Sequence, residues 1–262
     1  MQIAKLDNLA LHWREDGDRN GKPVVFANSL GTDLRLWDAL LPLLPEGLRF
    51  IRYDKRGHGL SSCPPAPFTL TDLVDDAEKL LDHLGISEAL FVGLSIGGMI
   101  AQGLAVRRPD QIRALVLSNT AARMGDAAMW QQRIALIRQQ GMDALADMIM
   151  QRWFAPPFLA SDAQEAWRNM LRHTPLDGYL GCCQALASAD MTDILPRILQ
   201  PTLGIAGSLD GACPPKLVQE TIEKIPNAHM ALIEGTGHLP CVEAPQEFAR
   251  LLIRFFKETN HA

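Results

Sequence analysis

The chain has 262 residues and a formal net charge of −5. Apolar residues make up 47% and charged residues 21% of it, which is typical of a globular protein and excludes a disordered or collagen-like chain. Its pI of about 5.8 is too acidic for an overall nucleic-acid-binding surface. We therefore expect no nucleic acid partner, and an anionic ligand would need a local cationic pocket.

Three features of the sequence predict a cytoplasmic protein without a membrane partner. The first residues lack the apolar core of a secretion signal. The longest apolar stretch, Ala89–Val106, is interrupted by four glycines, Ser95 and Gln102, so a strand, a turn and a helix explain it better than a membrane span. The cysteines are odd in number and lack metal-site spacing, which favours reduced thiols; they are Cys63, Cys182, Cys183, Cys213 and Cys241. The adjacent pair is expected to pack inside a helix rather than react.

In the first half of the chain, strand-like and helix-like segments alternate. Short apolar runs predict strands at 23–27, 50–54, 89–92 and 114–117. Apolar residues at helical spacing predict helices over Leu34–Leu44, Leu70–Leu84 and Ile96–Arg107. This alternation predicts an α/β fold with a parallel sheet and helices on both of its faces.

The alternation breaks between residues 121 and 196, where helical spacing continues without a convincing strand and tryptophan and methionine cluster. It resumes with strands at 203–206 and 230–233 and with helices at 216–225 and 246–257. We therefore predict a core formed by residues 1–120 and 197–262, with residues 121–196 inserted as a helical cap, or lid.

The strongest motif is Gly93–Gly98, G-L-S-I-G-G, which follows a predicted strand and opens a predicted helix. This is the G-x-S-x-G nucleophile elbow in the context that it requires. Side chains at Gly93 and Gly97 would collide with nearby backbone in so sharp a turn, which holds Ser95 in a strained conformation. The motif predicts Ser95 as a nucleophile, with the N–H of Ile96 directed at a developing oxyanion.

A serine hydroxyl needs a base, and in this arrangement the acid and then the histidine follow the serine in the chain. His238 lies in a glycine-rich loop just past a predicted strand and is the predicted base. His229 instead opens that strand, at the opposite end from the site. His261 is expected to be frayed at the chain terminus.

Asp210, just past the preceding strand, is the predicted acid that orients the histidine. The alternative is that Asp210 only caps the next helix. Asn119 occupies a rival position but cannot carry the charge, and Glu234 is a weaker candidate. The second oxyanion donor should come from the loop after strand 23–27, and by position we assign it to the N–H of Leu30.

These residues resemble the α/β-hydrolase superfamily over nearly the whole chain. The loop Asp54–Ser61, D-K-R-G-H-G-L-S, matches the D-x-R-G-x-G-x-S turn of that family, and Gly237-His238 matches its histidine loop. One departure is Asn28-Ser29, where most members have His-Gly. The resemblance implies a mostly parallel, eight-stranded sheet with helices on both faces and a helical cap insertion.

Within that superfamily, parts of the predicted cap look like 3-oxoadipate enol-lactonases. These parts are Arg172–Pro175, Gly178–Ala185, Ala189–Met191 and Arg152–Phe154, and the loop Asn28–Asp33 matches as well. The resemblance implies a serine esterase that acts on a small anionic lactone in the β-ketoadipate pathway of aromatic catabolism. Such a reaction is acyl transfer to water, for which we expect no metal and no cofactor.

A cation should bind the substrate carboxylate. Arg133 shares one face of the first predicted cap helix with Trp130 and other apolar residues, so it is predicted to face the pocket. The alternative is that Arg133 reaches water along the edge of that face. Trp130 and Trp153 are predicted to contact the substrate, and Arg152 and Arg168 are alternative cations.

Two other interpretations remain open from sequence. The chain could be a different serine hydrolase of this fold, namely a carboxylesterase, a carbon–carbon hydrolase or a perhydrolase. It could also be a binding protein that keeps the fold without catalysis, against which the apparently complete triad argues. The sequence leaves the oligomeric state unassigned.

Overall fold

The computed structural model describes the whole chain, Met1–Ala262, which is built around one sheet of eight strands. The strands are β1 (Gln2–Leu6), β2 (Leu9–Gly17), β3 (Lys22–Ala27), β4 (Leu48–Tyr53), β5 (Ala89–Leu94), β6 (Ile112–Ser118), β7 (Thr202–Gly207) and β8 (Ala228–Ile233). Their order across the sheet is β1-β2-β4-β3-β5-β6-β7-β8. In this order, every pair of neighbours from β4 to β8 is parallel. At the edge, β1 pairs with β2 and β2 pairs with β4 in antiparallel fashion. The predicted fold class, a mostly parallel eight-stranded sheet, is confirmed.

Ten α-helices accompany the strands. They are α1 (Leu70–His83), α2 (Ile96–Arg107), α3 (Ala127–Gln140), α4 (Asp143–Trp153), α5 (Pro156–Leu159), α6 (Gln164–Arg172), α7 (Leu176–Ser188), α8 (Pro215–Ile222), α9 (Pro240–Glu243) and α10 (Pro245–Glu258). Five of them, α3 to α7, follow one another between β6 and β7, in a stretch of chain without a strand. None of the helices combines the length and the apolar character needed to cross a lipid bilayer.

The helices cover both faces of the sheet. Adjacent residues of a strand point to opposite faces. In β3, Phe26 packs on Trp37, which in turn packs on Phe248 of α10. The next residue, Ala27, lies against Gly97 of α2. With both faces covered, all six residues of β5 are buried, which explains why this strand is a continuous apolar run rather than an alternating one.

Three local predictions differ from the structure. The helix expected over Leu34–Leu44 is two short 3₁₀ helices, Leu34–Trp37 and Leu41–Leu43, because Pro42 has no N–H to continue a helical ladder. The helix expected over residues 216–225 runs over Pro215–Ile222. His261 is not frayed: its ring is buried and its Nε2 lies 3.0 Å from the carbonyl oxygen of Pro23 at the start of β3.

The parallel register aligns the carboxyl ends of the strands that matter for function. Ala27 of β3 pairs with Gly93 of β5, and Gly207 of β7 pairs with Ile233 of β8. The loops that follow these strands therefore leave the sheet at one edge, which is where parallel sheets generally form their ligand sites.

Candidate active site

Ser95 occupies the turn between β5 and α2 and has a strained backbone. Its φ of 58° and ψ of −119° lie in a region that non-glycine residues rarely adopt. A Cβ atom at Gly93 would lie 2.3 Å from the carbonyl oxygen of Gly97, and one at Gly97 would lie 2.2 Å from that of Ala27. The close packing of the turn therefore explains why glycine is needed at both positions, as predicted.

The hydroxyl and the backbone of Ser95 have separate partners. The N–H of Ser95 donates to the carbonyl oxygen of Ser118 at 2.9 Å, and the Thr120 hydroxyl donates to the carbonyl oxygen of Ser95 at 2.6 Å. The Ser95 Oγ contacts the sulfur of Met124 at 3.9 Å. The turn is thus held through its backbone, and the hydroxyl is left without a strong acceptor.

Asp210 and His238 form a buried pair. The Nδ1 of His238 lies 2.8 Å from the Oδ2 of Asp210, and both side chains are almost completely shielded from solvent. The Oδ1 of Asp210 accepts the N–H groups of Ala212 and Cys213 at 2.7 and 2.9 Å. Asp210 therefore does not cap the next helix, whose N-cap is Pro214; it closes the turn before that helix and orients His238, as the predicted acid should. With Nδ1 engaged, the Nε2 of His238 is the free ring nitrogen.

Asn119, which cannot itself be the acid of the site, forms a hydrogen bond with Asp210. Its side-chain amide donates to the Oδ2 of Asp210 at 2.8 Å and to the carbonyl oxygen of Gly237 at 3.3 Å. Its own φ of 49° is in the left-handed region, which asparagine tolerates better than most residues. Asn119 thus fixes the acid and the histidine loop together. Glu234, the weaker candidate acid, is exposed and outside this cluster.

Glu243 ties the histidine loop to the chain that leaves α4, a contact that the sequence does not reveal. Its two carboxylate oxygens accept the N–H of Gly237 at 2.7 Å and that of Ala155 at 2.8 Å. Burial raises the pKa of Glu243. The N–H of His238 itself donates to the carbonyl oxygen of Trp153 at 2.7 Å. The inserted helices therefore help to position the histidine.

The two predicted oxyanion donors belong to different segments, the start of α2 and the loop after β3. Ile96 is the first residue of α2, so its N–H is among those that have no acceptor within the helix. Leu30 lines the same cavity as Ser95. The departure at Asn28 is accommodated, because its side-chain amide donates to the carbonyl oxygen of Thr32 at 2.8 Å and closes the loop on itself.

Ser95 and His238 face a cavity of about 80 Å³. Besides Ser95 and His238, its lining contains the predicted oxyanion residue Leu30 and the alternative cation Arg152. It also contains the three residues predicted to contact the substrate, Trp130, Arg133 and Trp153. The indole N–H of Trp130 donates to the carbonyl oxygen of Met124 at 2.7 Å, which fixes the ring in the wall.

Two arginines in this wall lack an acidic partner. The guanidinium of Arg133 lies 4.6 Å from the centre of the Trp130 ring, a cation–π contact, and neither Arg133 nor Arg152 forms a salt bridge. Burial, and secondarily the charge of Arg133, lowers the pKa of Arg152. Arg168, in contrast, lies outside the cavity and pairs with Asp147. The cavity therefore presents two positive charges that form no salt bridge, with Asp210 the one carboxylate whose charge acts on Arg152.

The adjacent cysteines pack inside α7, as expected. Both are buried, and burial raises the pKa of Cys182 to about 12 and also raises that of Cys183. Lys55 lies close enough to Cys182 to oppose this shift, yet burial dominates. Both side chains are therefore neutral thiols at physiological pH.

Comparisons with known proteins agree with this fold. A family model described as alpha/beta hydrolase fold matches residues 22–245. The 3-oxoadipate enol-lactonase 2 of Acinetobacter baylyi is 36% identical over 255 residues, covering 97% of this chain and 95% of that protein. The enol-lactonase from Burkholderia xenovorans superposes with a TM-score of 0.94 at 35% identity, covering 98% and 100% of the two chains. An esterase from Thermogutta terrifontis superposes with a TM-score of 0.92 at 25% identity over the full length of both.

Proposed function

The chain belongs to the alpha/beta hydrolase fold family, and from that premise we propose that it is a serine hydrolase that opens 3-oxoadipate enol-lactone to 3-oxoadipate. The observation that carries this proposal is the conjunction of a strained Ser95 and a buried His238–Asp210 pair with two unpaired arginines in one small cavity. The chemistry would serve the degradation of aromatic compounds through the β-ketoadipate pathway.

In the proposed reaction, the Ser95 Oγ attacks the lactone carbonyl while the Nε2 of His238 takes the hydroxyl proton. The N–H groups of Leu30 and Ile96 stabilise the resulting oxyanion, where one such donor is typically worth about 3–4 kcal/mol. The ring C–O bond then breaks, and His238 returns the proton to the enol oxygen. The enol relaxes to the ketone, and a water molecule activated by His238 cleaves the acyl-enzyme.

The unpaired arginines are the basis for proposing an anionic substrate. An enol-lactone of this kind carries one carboxylate, while the protein as a whole carries a net charge of −5. Attraction must therefore be local, and the planar guanidinium of Arg133 can bind a carboxylate through two parallel hydrogen bonds. Arg152 adds a second positive charge to the same wall. Trp130 and Trp153 supply the apolar surface for the rest of the molecule.

We assign the segment 121–196 the role of a cap that sets this specificity. Its helices α3, α4 and α7 contribute residues to the cavity beside Ser95. A covered site excludes water, which strengthens the electrostatic interactions within it. In this proposal the sheet edge performs the acyl transfer and the cap selects the acyl compound.

The test is steady-state hydrolysis of 3-oxoadipate enol-lactone, followed by the loss of its ultraviolet absorbance. We expect turnover by the wild-type protein, none above background by Ser95→Ala, and normal turnover by a matched Ser161→Ala variant, whose hydroxyl is exposed on the cap. Turnover by Ser95→Ala would contradict the assignment of the nucleophile.

The structural similarity to an esterase makes a neutral carboxylic ester the second candidate substrate. A panel of neutral esters, carbon–carbon bond substrates and the lactone separates the two. A higher kcat/KM for a neutral ester than for the lactone would favour the esterase. Ligand binding without turnover of any compound would favour a non-catalytic protein.

A further inference from the structure

A buried lysine lies beneath the loop that carries Leu30. The Nζ of Lys55 donates to the carbonyl oxygen of Ser29 at 2.6 Å and to that of Thr32 at 3.3 Å. Lys55 follows β4 and is only 3% exposed. A lysine is seldom buried so completely unless it has partners, and here both partners are backbone carbonyls rather than carboxylates.

The neighbouring peptide group, between Leu30 and Gly31, also has a buried partner. The N–H of Gly31 donates to the Nε2 of His58 at 3.0 Å, and the Nδ1 of His58 lies 3.2 Å from the carbonyl oxygen of Arg56. His58 therefore accepts through one nitrogen and donates through the other, which requires the neutral ring. Burial holds the pKa of His58 well below its usual value, in agreement with that state.

The geometry of the peptide bond links Lys55 to the site. In a trans peptide, the C=O of one residue and the N–H of the next point in opposite directions. The carbonyl of Ser29 and the N–H of Leu30 belong to one such peptide group. Because Lys55 donates to that carbonyl oxygen, the Leu30 N–H, on the opposite side of the peptide group, is directed away from Lys55. A charged donor on the carbonyl also polarises the peptide group and strengthens its N–H as a donor.

We propose that Lys55 is a positioning residue, which aims and polarises the Leu30 N–H toward the oxyanion formed at Ser95. This role rests on the proposed acyl transfer at Ser95. Lys55 contacts neither the substrate nor the reacting atoms in this proposal, and it acts through the Ser29–Leu30 peptide group.

The surroundings of Lys55 make the role dependent on pH. The groups that face it are Cys182 from α7, Asp33 from the oxyanion loop, and Asp54 and His58 from its own loop. Burial lowers the pKa of Lys55 to about 8, against the opposing effects of Cys182, Asp54 and Asp33. Above that pH the amine becomes a neutral, weaker donor. The rate of oxyanion formation should therefore fall as pH rises through about 8.

The experiment compares Lys55→Met, which keeps an unbranched side chain without a donor, with Lys216→Met, the same substitution at an exposed site. Two readouts are kcat and KM for p-nitrophenyl acetate and the rate at which a fluorophosphonate probe labels Ser95, each measured from pH 6 to 10. We expect Lys55→Met to lower kcat and the labelling rate by about 10- to 100-fold, with KM changed less than about threefold. It should also lose the decline near pH 8, and Lys216→Met should behave as the wild type.

Lys55→Gln provides the second variant, since its amide keeps a donor that does not titrate. It should retain more activity than Lys55→Met and show no decline near pH 8. Wild-type rates in Lys55→Met, or an unchanged alkaline decline in Lys55→Gln, would overturn the role of Lys55. If neither variant folds, a wild-type labelling rate that stays flat through pH 8 overturns it and a decline there supports it. Absence of turnover and of Ser95 labelling in the wild type would instead refute the proposed hydrolase itself.

Discussion

The two sides of the cavity, formed by the sheet edge and by the inserted helices, differ in how their charged groups are paired. On the sheet side, Asp210 accepts hydrogen bonds from His238, Asn119 and two backbone N–H groups, so that each carboxylate oxygen has two donors. On the cap side, Arg133 and Arg152 face the cavity without any acidic partner. The carboxylate on the sheet side thus has all of its hydrogen bonds before a substrate arrives, whereas the cap side leaves positive charge for the substrate to neutralise. In the proposed reaction, the sheet side performs the chemistry and the cap side selects the substrate.

The largest expected effect comes from removing the base on the sheet side. His238→Gln should lower kcat by about 10⁴- to 10⁶-fold, because nothing else near Ser95 can take its proton. Thermal unfolding should show that the variant still folds. A matched His229→Gln variant, changed at the exposed end of β8, should keep wild-type activity. A fall of less than tenfold in His238→Gln would remove His238 from the mechanism.

Asp210→Asn should have the next largest effect, about 10³- to 10⁴-fold in kcat, for all substrates alike. An amide in this position can present its NH₂ to His238 and favour the wrong tautomer of the imidazole. The measurement is kcat for both the anionic lactone and a neutral ester. A loss confined to one of the two substrates would show that Asp210 acts in binding rather than in orienting the base.

The proposed catalytic residues of the sheet side can be found from sequence because each lies in a local pattern. Ser95 is flanked by glycines between a strand and a helix, and His238 follows a strand in a glycine-rich loop. The support around them joins distant parts of the chain and leaves no local pattern. Asn119 reaches Asp210 across 91 residues, Glu243 reaches Ala155 across 88, and Lys55 reaches Ser29 across 26.

The fold shows the same division between local and distant causes. Strands buried on both faces, such as β5, could be read as continuous apolar runs. The edge strand β1 has only two buried residues among its five, so it forms no continuous apolar run. The sequence pattern therefore does not predict the hairpin that β1 forms with β2. The sequence predicts a frayed His261 because it does not show that the last residues of the chain return to β3.

On the cap side, the expected effect is smaller and selective. Arg133→Met should reduce kcat/KM for the anionic lactone by about 2–4 kcal/mol, or roughly 30- to 1,000-fold, while a neutral ester is hardly affected. The matched control is Arg138→Met, on the same helix but exposed. Equal losses on both substrates would assign Arg133 a structural role through its contact with Trp130. In that case Arg152 becomes the next candidate for binding the carboxylate.

The smallest expected effect is on the pH dependence of stability, which should depend on the buried His261 and not on the exposed His173 of the cap. Burial lowers the pKa of His261 from its usual 6.5 to about 4, with Lys22 and Arg113 adding to the effect. Because the folded-state pKa is the lower one, His261 contributes its full stability above about pH 6.5. That contribution is lost as pH falls from 6.5 toward 4, since the unfolded chain then binds a proton that the folded chain resists.

Allowing for solvent near the chain end, the loss at pH 5.5 should be about 1 kcal/mol, or a fall of about 2–4 °C in Tm relative to pH 7.5. His261→Gln removes this titration, so its Tm should fall less over the same range than that of the wild type. His173→Gln, at an exposed position that follows α6, should leave the wild-type pH dependence intact. If His261→Gln loses as much Tm on acidification as the wild type, the acid sensitivity of the fold lies elsewhere. The contact between the last residues and β3 would then be independent of the protonation of His261.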